Sequence, residues 1–182
     1  MNATLIIIVT IAVIIVVISC IYIYNLSRLK FYKSRVDSSI IVINEELENR
    51  YKLIQDSKTS VEKSTKKDLD FYKELETIKN TNITSYELDR KITEAINTLY
   101  LIKNDFPKLA DKKDFKELVR KLNESDTKIT AAKSYYNKNN DFLVGLLKKF
   151  IPGFVGKVNN IKILPFYDTV ELFEEDVKDI EE

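Results

Sequence analysis

Hydrophobic positions follow two regimes along the chain. From Leu5 to Tyr24 they are continuous: LIIIVTIAVIIVVISCIYIY carries no charge, and only Thr10, Ser19, Cys20, Tyr22 and Tyr24 interrupt the aliphatic run. A helix of that length spans ~30 Å, the thickness of a bilayer's hydrocarbon core. After Leu26 the apolar residues recur in steps of three and four, at Leu29, Tyr32, Val36, Ile40, Ile43, Leu47, Tyr51, Ile54, Val61, Leu69, Tyr72 and Leu75. That is the helical period, and it predicts that the apolar run continues into a long helix reaching about Asn80. Glu45, Glu46, Lys58, Lys63 and Lys67 fall on its other face. Between Gln55 and Lys67 the only hydrophobe is Val61, so any bend or fraying belongs there.

Two further long helices follow. Thr84-Ser85-Tyr86-Glu87 fits a capping box, in which the Thr84 hydroxyl accepts from a backbone N–H three residues on and Glu87 reaches back. The second helix then runs to about Asn104, with a stripe of Leu88, Ile92, Ala95, Ile96, Leu99 and Ile102 expected to be buried. Asp105-Phe106-Pro107 ends it, because the residue before proline is pushed out of the helical region. The third is expected from about Asp111 to Phe150. Its apolar positions Phe115, Leu122, Ile129, Tyr136, Leu143 and Phe150 are spaced by seven, accompanied by Leu118, Ser125, Ala132, Asn139 and Leu146. A seam of this kind buries itself against neighbouring helices. Tyr136 with Asn139 makes a partly polar layer suited to packing specificity more than to a ligand. Pro152-Gly153 closes the helix, and Ile161, Ile163, Leu164, Phe166 and Tyr167 form a short apolar segment that must dock on the bundle or on a membrane. The predicted architecture is all-α: a transmembrane helix continuing into an up-and-down antiparallel bundle of three long helices, with a short fourth as an option. Three glycines and three prolines leave too little punctuation for an antiparallel sheet.

The flanks of the apolar run decide how it is read. A cleaved secretory signal would need basic residues ahead of it, and nothing before Arg28 is charged but the amino terminus. A lipoprotein signal is an open alternative, since Val17-Ile18-Ser19-Cys20 meets the loose pattern, although the apolar run continues past Cys20. The expectation is an uncleaved single span over residues 5–24 in contact with the lipid bilayer, with Tyr22 and Tyr24 as interface aromatics. Arg28, Lys30, Lys33 and Arg35 crowd its C-terminal side, whereas residues 1–4 carry no Lys or Arg. The positive-inside rule then sets a short external N-terminus and a cytoplasmic bundle over residues 25–167 in a cell membrane. A bundle outside, lipid-anchored at Cys20, is the alternative topology. The same four cations are candidate contacts for lipid headgroups.

Charge adds one further division. The 29 Lys and Arg nearly balance 28 Asp and Glu, so no overall field points to nucleic acid. Residues 168–182 nevertheless hold eight acids and one lysine, an acidic tail with a short amphipathic turn expected through Val170, Leu172, Phe173 and Val177. With no histidine, no Ser-His-Asp or Cys-His arrangement and no Glu-x-x-His di-iron site is available. One cysteine excludes an intrachain disulfide and a thiolate zinc site, and glycines at 145, 153 and 156 make no phosphate-cradling loop. No catalytic residue, cofactor or metal is therefore expected.

An N-terminal span followed by Tyr24-Asn25-Leu26, Arg28-Leu29 and Arg35-Val36-Asp37, then Asp105-Phe106-Pro107-Lys108-Leu109 with Phe115 and Leu118, then Ala132-Lys133 ahead of Tyr135-Tyr136-Asn137 and Asn140, resembles the LemA family of bacterial membrane proteins. Phe150-Ile151-Pro152 and Pro165-Phe166-Tyr167 resemble its closing segments. The order and spacing carry the likeness, from Tyr24 to Tyr167. The chain departs from the family pattern at Arg50-Tyr51-Lys52-Leu53-Ile54-Gln55, where a Leu-Ile-Pro after an arginine pair is usual, and at Asp126 and Lys133, where a glutamate and an arginine are usual. The resemblance implies a helical bundle on a single-span anchor, and no settled activity. Its motif or core positions here are Tyr24, Asn25, Phe106, Pro107, Phe115, Leu122, Ile129, Tyr136, Asn137 and Asn140. Two functions stay open: a non-catalytic scaffold or interaction module, for an unknown protein partner or for itself, and a membrane-surface element using Arg28 to Arg35 and the Lys148-Lys149-Phe150 corner on anionic lipid.

Overall fold

The computed structural model describes residues 3–66, 69–81 and 83–167. Met1, Asn2, Lys67 and the acidic tail, with its expected amphipathic turn, lie outside them. Among the described residues every element is helical, so the all-α class stands. The helices are α1 (Ala3–Thr65), α2 (Asp70–Lys79), α3 (Ser85–Asp105), α4 (Pro107–Ala110), α5 (Lys113–Leu147) and α6 (Phe150–Val158). The chain divides into two compact units: a central unit, Ser39–Ser134, and a terminal unit formed by Met1–Ser38 with Tyr135–Glu182.

In the central unit the first expectation to fail is the helix reaching Asn80. Neither glycine nor proline stops α1, yet it ends at Thr65 inside the stretch poor in hydrophobes, where little buried surface rewards continuing. Lys66 takes a left-handed φ of 56°, and its N–H donates to the Glu62 carbonyl at 2.8 Å. This is the one-residue reversal by which helices commonly stop. The chain then returns as α2, antiparallel to α1. Lys79 pairs with Glu48, the Tyr72 and Ser57 hydroxyls lie 2.9 Å apart, and Gln55 Nε2 donates to the Tyr72 carbonyl. Burying Tyr72 and Leu75 in this way gives α2 the amphipathic face its sequence carries.

The expected capping box is present at the start of α3: Glu87 N–H donates to Thr84 Oγ1, and Thr84 N–H donates back to the Glu87 carboxylate at 2.9 Å. Ile92, Ala95, Ile96, Leu99 and Ile102 are buried as expected. Leu88 is half-buried, and Asp89 beside it takes the deeper place. On α5, Phe115, Leu118, Leu122, Ser125 and Ile129 are buried.

The terminal unit holds the rest of the seven-residue register. Tyr136, Asn139, Leu143 and Leu146 are buried, whereas Phe150 is 93% exposed. Phe150 does not extend the seam because α5 stops at Leu147 and Phe150 opens α6. Pro152 enforces that stop: within a continuous helix its ring would collide with the carbonyl four residues back, but in the first turn of a new helix its missing N–H costs nothing. Leu29 on α1, Leu143 and Leu146 on α5 and Val155 on α6 form the core, with Tyr22, Leu26, Tyr32, Leu147 and Ile161 packed against it.

Candidate functional site

The feature that most needs explaining is apolar surface that the protein does not cover. From Leu5 to Ile21 the side chains of α1 are exposed on every face, with Ile8, Val16 and Ile18 each more than 60% exposed. A helix apolar on every face is one that a nonpolar surrounding must cover. It is long and apolar enough to cross a membrane. The terminal unit is built around the place where this run ends.

Two glycines fix how α6 comes back there. A Cβ on Gly153 would sit 2.5 Å from the Leu147 carbonyl oxygen, and one on Gly156 would meet a Leu147 methyl at 2.3 Å and a Leu29 methyl at 3.7 Å. The α5–α6 corner is therefore too tight for any other residue at 153. At the far end, Asn160 adopts φ 55°, the Ile161 N–H donates to the Gly156 carbonyl and the Asn160 N–H to that of Lys157. This pair of bonds is a Schellman cap, which turns Ile161 inward onto the core. Asn159 Nδ2 donates to the Tyr22 hydroxyl at 2.8 Å. The C-terminal end of α6 is thus tied to the last turn of the apolar run, and Val155 packs beside Leu29 one to two turns further on.

Beyond α6 the chain is held on α5 by the polar layer. Tyr136 Oη donates to the Pro165 carbonyl at 2.8 Å, and Asn140 Nδ2 to that of Leu164 at 2.8 Å. Asn137 donates to the Tyr167 carbonyl at 2.7 Å and accepts from the Tyr167 N–H at 2.9 Å, as a neighbouring strand would. The Tyr136 and Tyr167 rings meet edge to face, 5.0 Å between centroids. Asn139 bonds within its own helix, to the Tyr135 carbonyl. The layer serves packing specificity: it gives a segment without secondary structure the partners its backbone requires.

Positions singled out in the sequence divide accordingly. Phe115, Leu122, Ile129, Tyr136, Asn140 and Asn25 are buried, the last with its amide on the Ile21 carbonyl. Asn137 is half-buried and engaged as described. Tyr24 and Pro107 are exposed and Phe106 half-buried, so they are not core. Pro107 instead starts α4, and Leu109 fills the place beneath it. The four cations do not form one basic face. At ~100° per residue Arg28 and Arg35 lie on one side of α1 and Lys30 and Lys33 on the other. Arg28 sits over the Tyr24 ring at 5.7 Å and Arg35 over Phe31 at 4.2 Å. Lys33 is bound to Asp37 at 2.5 and 2.6 Å.

In the central unit, buried charge joins helices. Arg50, almost fully buried, donates to Ser125 Oγ and to Asp126, both at 2.8 Å. Lys133 pairs with the buried Asp89 at 2.6 Å. The departures from the family pattern at 126 and 133 therefore keep a charge of the same sign, and both residues stand in ion pairs. Neither pair was legible in the sequence, although Asp89 shares a face with Ile92, Ile96 and Leu99, a spacing that marks it as inward. An open groove of about 320 Å³ runs over Leu53, Val61, Phe115 and Leu118, with Asp56, Asp114, Glu117 and Lys121 along it. A bidentate hydrogen bond from Arg120 holds the Glu117 carboxyl down to about 2, so it stays ionised near neutrality and has no proton to donate. Among the described residues no group of three or more His, Cys, Asp or Glu is placed to hold a metal.

The LemA family model matches residues 39–180, about three quarters of the chain. No curated protein and no solved structure matches it.

Proposed function

Because the chain belongs to the LemA family, we propose that it is a single-span membrane protein whose helical units act as a non-catalytic scaffold or interaction module. One observation carries the reading: each buried charged group of the central unit is engaged by another helix, Arg50 by Ser125 and Asp126 and Asp89 by Lys133. Charge used this way makes a fixed surface; it does not converge on a cleft where a substrate would be held. The apolar part of α1 supplies the anchor over residues 5–24, the cation-rich flank sets the helical units on the cytoplasmic side, and partners contact the central unit through its exposed apolar side chains, Ile41, Val42 and Leu101.

The test uses the full chain in its own membrane. Thr127→Cys, in a Cys20→Ser background, should resist a membrane-impermeant thiol reagent on intact cells and react after lysis; labelling of intact cells would overturn the topology. A photo-crosslinking residue at Leu101 or Ile41 should give a discrete adduct, with another protein or with a second copy. No adduct at either position would remove the interaction reading.

A second reading, a membrane-surface element, is favoured by the bare face of α6.

A further inference from the structure

We propose that α6 and the segment after it lie in the interface of the bilayer that α1 crosses, as a second, monotopic membrane contact taking anionic phospholipid. This rests on the reading of α1 as the span, and commits to lipid as the occupant of a face the fold leaves open.

The helix has two sides. At ~100° per residue, Pro152, Val155 and Gly156 fall within one arc of about 100°, and all three are buried. Phe150, Phe154, Val158 and Ile151 fill the opposite arc and are 93, 64, 59 and 45% exposed. Ile163 continues the same bare surface, lining with Phe150 and Phe154 an open groove of about 410 Å³. An apolar arc of this width on a short surface helix, with aromatic residues at its centre, is the pattern of helices that lie in the plane of a membrane.

Position argues for the bilayer over any other occupant. The Asn159–Tyr22 hydrogen bond and the Val155–Leu29 contact set α6 beside α1 where its apolar run gives way to polar residues. That is the level at which an α1 spanning the membrane enters the headgroup region. Charge agrees. From Phe142 to Tyr167 there is no acid, and Lys148, Lys149, Lys157 and Lys162 surround the bare face; residues 3–36 of α1 hold four cations and no acid. All four lysines are exposed. Apolar side chains bounded by cations alone match acyl chains beneath anionic headgroups.

The chain contains no tryptophan, so a single one reports its own surroundings. Full-length Phe154→Trp is reconstituted in phosphatidylcholine–phosphatidylglycerol vesicles whose lipids carry a quencher either near the headgroup or at the bilayer centre, with Val13→Trp and Leu101→Trp prepared alike. The expected result is blue-shifted emission from residue 154, quenched several-fold more by the shallow label than by the central one, and shallower still when phosphatidylglycerol is omitted. Residue 13 should be quenched by the central label and residue 101 by neither. If residue 13 is quenched and residue 154 emits as in water, the span stands and this inference falls. Blue-shifted emission at 154 that no lipid label quenches would mean a protein covers the face, which overturns it equally. If residue 13 is not quenched, the anchor fails and this inference with it.

Discussion

In the central unit, the exposed large hydrophobics are Ile41, Val42 and Leu101, scattered over two helices. In the terminal unit, even outside the apolar run, they are Phe31, Tyr135, Phe142, Phe150, Ile151, Phe154, Val158, Ile163 and Phe166, mostly gathered on α6 and the segment that follows. Buried polar groups are distributed in the opposite sense. The central unit buries full charges, Arg50 and Asp89, each joined to another helix, whereas the terminal unit buries neutral amides and a phenol, Asn140 and Tyr136, that hold the backbone of a passing segment. Contiguous bare apolar surface of the terminal unit's kind calls for a covering that scattered side chains such as Ile41 and Leu101 do not need. The two units therefore differ in what they leave at the surface and what they bury, although α1 and α5 run through both.

The strongest way to break that contrast is to strand a charge. Lys133→Ala leaves the Asp89 carboxylate without its 2.6 Å ammonium partner. Removing one member of a buried pair costs ~3–5 kcal/mol, and a denaturant midpoint of the full chain in detergent should fall to match. Asp126→Ala is the comparison: it removes the partner of a guanidinium that is itself buried, but Arg50 keeps its bond to Ser125 and the lost carboxylate was 70% exposed, so the cost should fall below that of Lys133→Ala. Equal costs for the two would mean that burial does not decide the worth of these pairs.

Next comes the register of α5. Ile129, 1% exposed, should lose ~2–5 kcal/mol on replacement by alanine. Phe150→Ala, seven-residue arithmetic notwithstanding, should change stability in detergent by less than ~0.5 kcal/mol, because its side chain touches almost nothing. The same substitution should weaken association of the α6 face with lipid. A large loss of stability at 150 would return Phe150 to the seam and refute the contrast.

The two residues also show what the sequence could reveal. Spacing by seven identifies Phe115, Leu122, Ile129, Tyr136 and Leu143 because each lies within one uninterrupted helix. It misleads at Phe150 because periodicity carries no information about where a helix stops, whereas Pro152 does: it requires the stop about four residues earlier. The Thr84–Glu87 cap was legible because both halves are local. The end of α1 at Thr65 was legible as a weak place, since it lies in the stretch poor in hydrophobes, but not as a reversal, whose cause is tertiary: Tyr72 and Leu75 are buried by returning along α1. The bare face of α6 was half legible. Lys148, Lys149 and Phe150 form a cationic and apolar corner already in the sequence, but Phe154, Val158 and Asn159 gain meaning only once Gly153 and Gly156 let the helix fold back beside Tyr22.

Alkaline pH tests the interior of the central unit by a smaller amount. Burial, opposed in part by the Ser57 hydrogen bond, pushes the Tyr72 phenol up to about 12 from 10.0. The folded chain therefore holds the proton more tightly than the unfolded one. Stability from the neutral phenol is fully present below pH 10 and is lost as pH rises through about 12, amounting to about 2 kcal/mol. Tyr72→Phe, compared with the unaltered chain across that window so that lysine titration cancels, should show a flatter decline. Parallel declines would place the phenol in contact with water.

The smallest effect sets the two units side by side at one backbone feature. Lys66 in the central unit and Asn160 in the terminal unit both adopt a left-handed φ, 56° and 55°, just past the ends of α1 and α6. For a residue with an ordinary side chain this conformation costs ~1–2 kcal/mol, which asparagine largely avoids and glycine avoids altogether. Glycine in turn gives the unfolded chain more freedom, at ~0.5–1 kcal/mol. Lys66→Gly should consequently stabilise the full chain by ~0.5–1 kcal/mol, the difference of the two. Asn160→Gly should bring no gain, and a slight loss from the added freedom of the unfolded state. Denaturant midpoints of the two variants decide it. A gain at 160 equal to that at 66 would show that Asn160 is strained, and that α6 is held against α1 at a local cost which its contacts with Tyr22 and Leu29 must offset.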